Sequence, residues 1–330
     1  MSEKPPVPHV LINESLRRYT SWRVGGPADL LCRPASLEEL QAFLASVPAE
    51  MPVTWLGLGS NVLVRDGGIR GAVVCTSGLP RVIERLDAGM DARGRATQGA
   101  VADAGTDARG RATQGAVADA GRVRAGAGVP CATLARRCVR WKLGPAAFFA
   151  GIPGSLGGAL AMNAGAYGAE TWERVESVTT IDRSGVLRER RRAEFDIGYR
   201  HVAGAPGEWF VGAVLAFEAN RVGEALVMKE LLAARSAAQP LGRPNAGSVF
   251  RNPAGDYAGR LIEAAGLKGQ RRGGAVVSAK HANFIINEGG ATAADVEGLI
   301  ETVRAAVKEQ TGVLLELEVR VLGERGGAQS

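Results

Sequence analysis

Between Lys142 and Glu170 the chain runs for 27 residues without a charge. A helix of that length could cross a bilayer, but LGPAAFFAGIPGSLGGALAMNAGAYGA holds two prolines, repeated glycines and an asparagine. Such a segment breaks a helix again and again and leaves main-chain polar groups without partners in lipid, which excludes it from a membrane. In water the same residues form a glycine-rich loop, and a backbone with so little side-chain bulk approaches other surfaces closely. That surface is either a flat cofactor with its diphosphate or another stretch of the protein's own backbone. Composition leaves both open.

The glycine excess is general. Forty-five of the 330 residues are glycine, about twice the usual share, and only seven of them fall in 87–121. That segment holds a tandem repeat, DARGRATQGAVADAG at 91–105 and again, unchanged, at 107–121. The unit has almost no large apolar residue and its charges cancel, and two copies are too few for a solenoid, so it reads as a surface loop insertion. RGAVVCTSGLPRVIERL before it and GRVRAGAGV after it read as strands, which puts the repeat at the tip of a β-hairpin.

A chain of this length exceeds what one hydrophobic core serves, so two or three subdomains are expected. The polar, Pro-rich start, MSEKPPVPHV, lacks a basic-then-apolar signal region, and residues 1–15 read as a disordered lead. Ser36 and Glu39 form a capping-box pattern opening SLEELQAFLASV, followed by the strand-like VTWLGLG. Val296, Leu299, Ile300, Val303 and Val307 share one helical face, with Gly312 positioned to end that helix. Beyond it, Val313, Leu315, Leu317, Val319 and Val321 alternate with Glu316, Glu318 and Arg320, the pattern of a half-buried strand. Helices and strands interleave too irregularly for a βαβ series, so the fold class is α+β.

The formal charge of +6 favours anionic partners, either phosphorylated small molecules or nucleic acid. The arginine runs at 188–192 and 271–272 lack the interleaved aromatics that stack on bases, which argues against nucleic acid. Four cysteines without a CxxC pair and three scattered histidines give neither a disulfide scaffold nor a metal site. GLGSN, at Gly57–Asn61, follows an apolar strand, as a phosphate cradle would. It is no Rossmann fingerprint, because Val62 stands where the third glycine belongs and VLV follows rather than a helix. A strand, a glycine turn and a second strand still offer consecutive N–H groups and two side-chain donors to a diphosphate, or form an ordinary hairpin.

Seven segments carry a resemblance: YTSWRVGGPADLL from Tyr19, GLGSNVLV from Gly57, AGIPGSLGGALAMNAGAYG from Ala150, FDIGYR at 195–200, NAGSVFRNP at 245–253, KHANFIIN at 280–287 and LELEVRVLGE from Leu315. In order and spacing, from about Leu16 to Gly323, the chain resembles the UDP-N-acetylenolpyruvoylglucosamine reductase (MurB) flavoproteins. The resemblance implies an α+β chain with an FAD-binding fold of the vanillyl-alcohol-oxidase (PCMH) type in two subdomains, 16–86 and 122–220. A third α+β domain, 221–323, would bind substrate, with 87–121 an insertion and 324–330 a tail. Only 47 positions separate Arg200 from Ser248, which is similar to the shorter subgroup without a substrate-capping tyrosine loop.

Carried over by motif, Arg200 of GYR would hold the carboxylate of the enolpyruvyl substrate, Ser248 of NAGSVF would donate a proton, and Glu318 would assist it. Arg320, on the same strand face, would hold Glu318 ionised. FAD would be held by Gly57, Gly59, Ser60, Asn61, Gly151, Ile152, Pro153, Gly154, Ser155, Gly157, Gly158, Asn163, Gly165 and Ala166. Arg251, Asn252, Lys280, His281, Asn283 and Arg320 would meet the UDP moiety, with His281 equally able to serve as a structural hydrogen-bonding residue. The implied activity is FAD-dependent, NADPH-driven reduction of UDP-N-acetylglucosamine enolpyruvate in peptidoglycan synthesis, in the cytoplasm. No metal, nucleic acid, membrane or obligate protein partner is expected. The alternatives are a flavin oxidoreductase of the same fold with another substrate, or a basic nucleic-acid-binding protein.

Overall fold

The computed structural model describes residues 9–86 and 120–327, so the two copies of the repeat lie, but for their last two residues, outside the described part. The chain divides into two compact units, 1–79 with 233–330, and 80–232. The expected subdomain 16–86 and substrate domain 221–323 thus belong almost wholly to one unit.

In the N-terminal part of the first unit, β1 (Val10–Ser15) pairs antiparallel with β2 (Pro27–Cys32). This corrects the disordered lead, since residues 10–15 are sheet. α1 (Leu37–Ser46) then crosses to β3 (Val53–Leu56), β4 (Val62–Val64) follows, and β5 (Ile69–Cys75) lies parallel between β2 and β3. Ser36 caps α1 by accepting the Glu39 N–H at 3.1 Å. The Glu39 carboxylate reaches back to the Ala35 and His9 N–H groups, one residue beyond a standard capping box.

The second unit is built on a five-stranded antiparallel sheet. Its strands are β6 (Ile83–Leu86), β7 (Ala120–Gly126), β10 (Val175–Asp182), β11 (Leu187–Arg191) and β14 (Glu208–Glu218), in the order β11-β10-β14-β7-β6. α2 (Cys131–Arg140), α3 (Leu156–Met162) and the 3-10 turn Ala147–Gly151 share its core with Val123, Ala125, Leu215 and Trp172. On the opposite side of the alternation Arg122 and Arg124 pair with Glu176 and Glu84. Two short hairpins complete the unit, β8 (Gly165–Ala166) with β9 (Ala169–Glu170), and β12 (Asp196–Gly198) with β13 (His201–Ala203). α4 (Glu224–Ala238) follows β14.

The chain then rejoins the first unit with α5 (Ala258–Ala264), an antiparallel sheet of β15 (Arg271–Arg272), β16 (Ala275–Val277) and β17 (Ile285–Asn287), α6 (Ala293–Thr311) and β18 (Arg320–Leu322). α6 buries the five apolar residues read from its periodicity and ends at Gly312, φ 74°. Regular strand geometry is confined to β18, although burial alternates along 313–322 as the pattern requires. Trp22 joins the two chain segments of this unit. Its ring is fully buried with Val296, Leu299 and Leu315, its Nε1 donates to the Ile285 carbonyl at 2.7 Å, and its own carbonyl accepts from Asn287 at 2.9 Å. The four cysteines are unpaired and buried, and burial pushes the Cys131 and Cys138 thiols up to about 12, too high for a nucleophile at neutral pH.

β6 and β7 pair antiparallel from Ile83↔Ala125 to Leu86↔Arg122, so the two strands expected to flank the repeat are neighbours. Deleting 91–106, one full period, about halves the connection and spares both strands. Loop-closure entropy then predicts a gain of about 0.6 kcal/mol, measurable by urea denaturation. A loss of more than 1 kcal/mol would show that the repeat packs on the core.

Candidate functional site

Three distant pieces of chain lie side by side in the first unit. The Asn245–Phe250 loop turns at Gly247, φ 75°, where Asn245 Oδ1 accepts the Gly247 N–H at 2.9 Å. The Val249 carbonyl then accepts from Glu318 N at 2.8 Å and Val319 N at 3.4 Å, Phe250 bridges Leu317, and Arg251 N donates to the Glu316 carbonyl at 2.9 Å. On the other edge Asn61 Nδ2 donates to the Glu318 carbonyl at 3.1 Å, the Asn61 carbonyl accepts from Arg320 N at 3.0 Å, and β18 continues parallel to β4. Main-chain hydrogen bonds therefore fix Glu318 next to the Ser248 loop and to the end of GLGSN. Ser248 is half-buried, and its hydroxyl makes no hydrogen bond to another described residue.

Asn283 explains why that loop is rigid. It is 3% exposed; its Oδ1 accepts the Phe250 N–H at 2.9 Å and its Nδ2 donates to the Phe250 carbonyl at 2.8 Å, while its own carbonyl accepts from Val249 N. The side chain imitates a β-ladder neighbour. Its Oδ1 and one Nδ2 hydrogen are thereby engaged by the loop that carries Ser248. His281 makes structural contacts. Its Nδ1 accepts the Asn283 N–H at 3.3 Å, its ring meets Phe284 edge-on, and burial lowers its pKa, holding it neutral. Asn252 Oδ1 accepts the Ala258 N–H at the start of α5, and the exposed Lys280 donates to the Ser236 carbonyl. Arg251 keeps a buried Nε without a partner, a donor suited to a phosphate oxygen. Arg320 is exposed and makes no ion pair among the described residues.

GLGSN explains its glycine. A Cβ on Gly59, φ 62°, would sit 2.1 Å from the Tyr19 carbonyl oxygen, and the Gly59 carbonyl accepts from Ser21 N and Oγ. The loop lies tight against the Tyr19–Ser21 segment with Ser60 and Asn61 following.

In the second unit the uncharged stretch divides between the two readings. Some of its glycines make room for the protein itself. A Cβ on Gly157 would come within 2.9 Å of Ala127 Cβ, one on Gly165 within 2.5 Å of the Ala169 carbonyl, and one on Gly151 within 2.5 Å of the Tyr167 ring. The Leu156 and Gly157 N–H groups are taken by the Val129 and Ala127 carbonyls, so they are not donors for a diphosphate. Ser155 differs. It is 1% exposed, stands at the N-cap of α3, and its hydroxyl has no partner. Above Gly158 an added Cβ would meet only that hydroxyl, at 3.9 Å. A buried orphan hydroxyl beside an open backbone face fits a bound FAD better than it fits solvent. Ile152 is buried, Pro153 is exposed, and Gly154 accepts from Cys131 N. Asn163 ends α3 in the left-handed region, φ 43°, with both amide hydrogens and its Oδ1 hydrogen-bonded within the protein. Ala166 closes the β8–β9 hairpin.

Arg200 occupies the second position of the two-residue turn between β12 and β13, at φ 53°. A non-glycine residue there carries strain of about 1–2 kcal/mol, which a protein retains where the side chain is needed. Its guanidinium carbon lies 5.9 Å from the Tyr199 ring centroid.

Two family models match the chain, an FAD binding domain over residues 28–190 and the C-terminal domain of UDP-N-acetylenolpyruvoylglucosamine reductase over 239–322. The chain is 53% identical over 315 residues to the UDP-N-acetylenolpyruvoylglucosamine reductase of Alkalilimnicola ehrlichii, covering 94% of each chain. It is 52% identical over 316 residues to that of Methylococcus capsulatus, covering 95% of this chain and 93% of the relative. The crystal structure of UDP-N-acetylenolpyruvylglucosamine reductase (MurB) from Thermus caldophilus matches with a TM-score of 0.72 at 31% identity, over 96% of this chain and 99% of that one.

Two substitutions test the supporting geometry. Asn283→Ala strands two buried main-chain groups of Phe250 and is expected to lower the unfolding free energy by about 2–4 kcal/mol, read from denaturant titration. Arg200→Gly relieves the positive φ and is expected to leave the unfolding free energy unchanged or raised by up to about 1 kcal/mol. A loss larger than that would show that the arginine holds the hairpin together.

Proposed function

Because the chain belongs to the UDP-N-acetylenolpyruvoylglucosamine reductase family, we infer that it reduces UDP-N-acetylglucosamine enolpyruvate to UDP-N-acetylmuramate with NADPH. It would do so in the bacterial cytoplasm, as a step of peptidoglycan synthesis, on an FAD-binding fold of the vanillyl-alcohol-oxidase type. No described helix is long and apolar enough to cross a membrane. The observation that carries the assignment of roles is the Glu318 N–H bonded to the Val249 carbonyl at 2.8 Å, one residue from a serine hydroxyl with no hydrogen-bond partner among the described residues.

FAD, when bound, would supply hydride derived from NADPH to the methylene carbon of the enol ether. Ser155, Gly158, Ser60 and the GLGSN backbone are the groups suited to hold it. As that C–H bond forms, the C=C π bond breaks and its electron pair passes to the neighbouring carbon, with negative charge spread into the attached carboxylate. Arg200 holds that carboxylate, and a fixed guanidinium stabilises the charge more as it grows, which is the differential binding that lowers a barrier. The Ser248 O–H bond breaks as its proton passes to the carbanionic carbon, forming the new C–H bond. A neutral hydroxyl suffices because that carbon is a strong base, and it does not repel an anionic substrate. Glu318, on the segment held against the Ser248 loop, assists that step, either by orienting the hydroxyl or, when protonated, by replacing its proton. Arg251 is the donor suited to the substrate diphosphate.

Purified protein is expected to be yellow, to be reduced by NADPH, and to be reoxidised anaerobically by the enolpyruvyl sugar. Reoxidation by oxygen alone would favour a flavin oxidoreductase of another specificity, and a colourless protein with salt-dependent affinity for DNA would favour the nucleic-acid reading. Ser248→Ala is expected to leave reduction by NADPH intact and to slow the second half-reaction by roughly 10²–10⁴-fold, measured by stopped-flow absorbance. Equal loss in both halves would remove Ser248 from the proton step.

A further inference from the structure

The hairpin that presents Arg200 is slight. β12 and β13 contribute three residues each, Asp196, Tyr199, His201 and Ala203 are exposed, and His201 pairs with Asp196 across it at 3.3 Å. A two-stranded hairpin of that size does not hold itself in one conformation in water. Its apolar anchors, Ile197 and Val202, pack at the margin of the core and set where the hairpin lies, but they say little about the peptide plane that enters the turn.

That plane is held by Asn163. Its Nδ2 donates to the Gly198 carbonyl at 3.1 Å and to Glu170 Oε2 at 2.6 Å, and its Oδ1 accepts the Trp172 N–H at 3.1 Å. The residue is 2% exposed. Both amide hydrogens are used, and the amide cannot be turned over, since a flip would set its oxygen against a carboxylate and a carbonyl and its NH₂ against an N–H. Gly198 opens the two-residue turn and pairs with His201, so fixing its carbonyl fixes the direction in which Tyr199 and Arg200 leave the strand. Asn163 is itself held by the left-handed end of α3, by the Thr171 hydroxyl bond to the Ala164 carbonyl, and by Trp172, whose Nε1 bonds the Leu160 carbonyl.

The geometry points to Asn163 as a positioning residue for the reaction, one that acts through Arg200 by clamping the Gly198 carbonyl at the root of its turn. The inference rests on the reading that Arg200 holds the substrate carboxylate. It gives the asparagine of the glycine-rich stretch a task in substrate alignment, apart from any contact with FAD.

The test is a double-mutant cycle of Asn163→Gly and Arg200→Ala, each holoenzyme assayed for flavin content and for the two half-reactions separately. Glycine keeps the left-handed end of α3 free of strain and removes only the amide. Asn163→Gly is expected to retain flavin and to be reduced by NADPH within about 3-fold of the wild-type rate, while reoxidation by the enolpyruvyl sugar slows roughly 10- to 100-fold. The double variant is expected to be no slower than Arg200→Ala, because a residue acting through Arg200 has nothing left to position. If the two losses multiply instead, Asn163 does not act through Arg200 and the inference is overturned. A slow Arg200→Ala beside a wild-type-like Asn163→Gly overturns this inference alone, whereas a fast Arg200→Ala overturns the Arg200 assignment and this inference with it. Should Asn163→Gly fail to fold, Asn163→Asp at pH 8 keeps the acceptor for Trp172 and loses the donor to Gly198. It is expected to show the same selective slowing, and wild-type reoxidation there overturns the inference.

Discussion

The C-terminal segment from Glu316 to Leu322 is hydrogen-bonded along both edges, by Val249 and Arg251 on one side and by Asn61 and β4 on the other. Everything proposed for the first unit depends on that double clamp. It joins the two chain segments of the unit and carries Glu318 between a serine loop and a glycine loop that are far from it in sequence. Few apolar contacts would achieve this, because packing tolerates small slides, whereas a one-residue slip in a strand turns every side chain to the opposite face. With Leu315 and Val319 buried in the α6 core, such a slip would expose both, so the register that fixes Glu318 is enforced by the core as well as by the ladder.

Buried and half-buried asparagines are the second device, and they share one physical logic. Asn283 against Phe250, Asn163 against Gly198, Asn61 against Glu318 and Asn287 against Trp22 each use a side-chain amide where no strand is at hand to satisfy a main-chain group. A primary amide has a donor face and an acceptor face, so it substitutes for a ladder partner without needing regular structure. This lets irregular loops carry functional side chains in one conformation while burying their polar backbone at no cost in unmade hydrogen bonds.

Sequence reading and structure diverge most at these residues. Amphipathic elements were legible. The face of α6, its Gly312 terminus, the cap at Ser36 and the strands on either side of the repeat all appear where periodicity and capping chemistry put them. By sequence Asn163 and Asn283 read as ligand contacts, because a polar residue in a motif invites that role and nothing local signals a backbone partner more than thirty residues away. β1 was lost in the polar lead because Ile12 and Glu14 are among its exposed residues or half-buried beside them, and its partner β2 lies across a turn containing Trp22. Trp22 itself, whose partner Ile285 is 263 positions distant, carries no local sign of its place in the C-terminal core.

The sequence by itself determined the class of chain and the chemistry on offer. It excluded a membrane span at 143–169, and its motif order gave the family and nominated Arg200, Ser248 and Glu318. It could do this because side-chain chemistry, glycine content and hydrophobic period are local properties. Only the tertiary structure decided which polar groups are spent and which are left for a ligand. Among the described residues the Ser155 and Ser248 hydroxyls have no hydrogen-bond partner, while the Asn163 and Asn283 amides bond to main-chain groups. Whether a donor is satisfied depends on which backbone group the fold brings within 3 Å of it, and that proximity is a long-range consequence of packing that no short segment encodes.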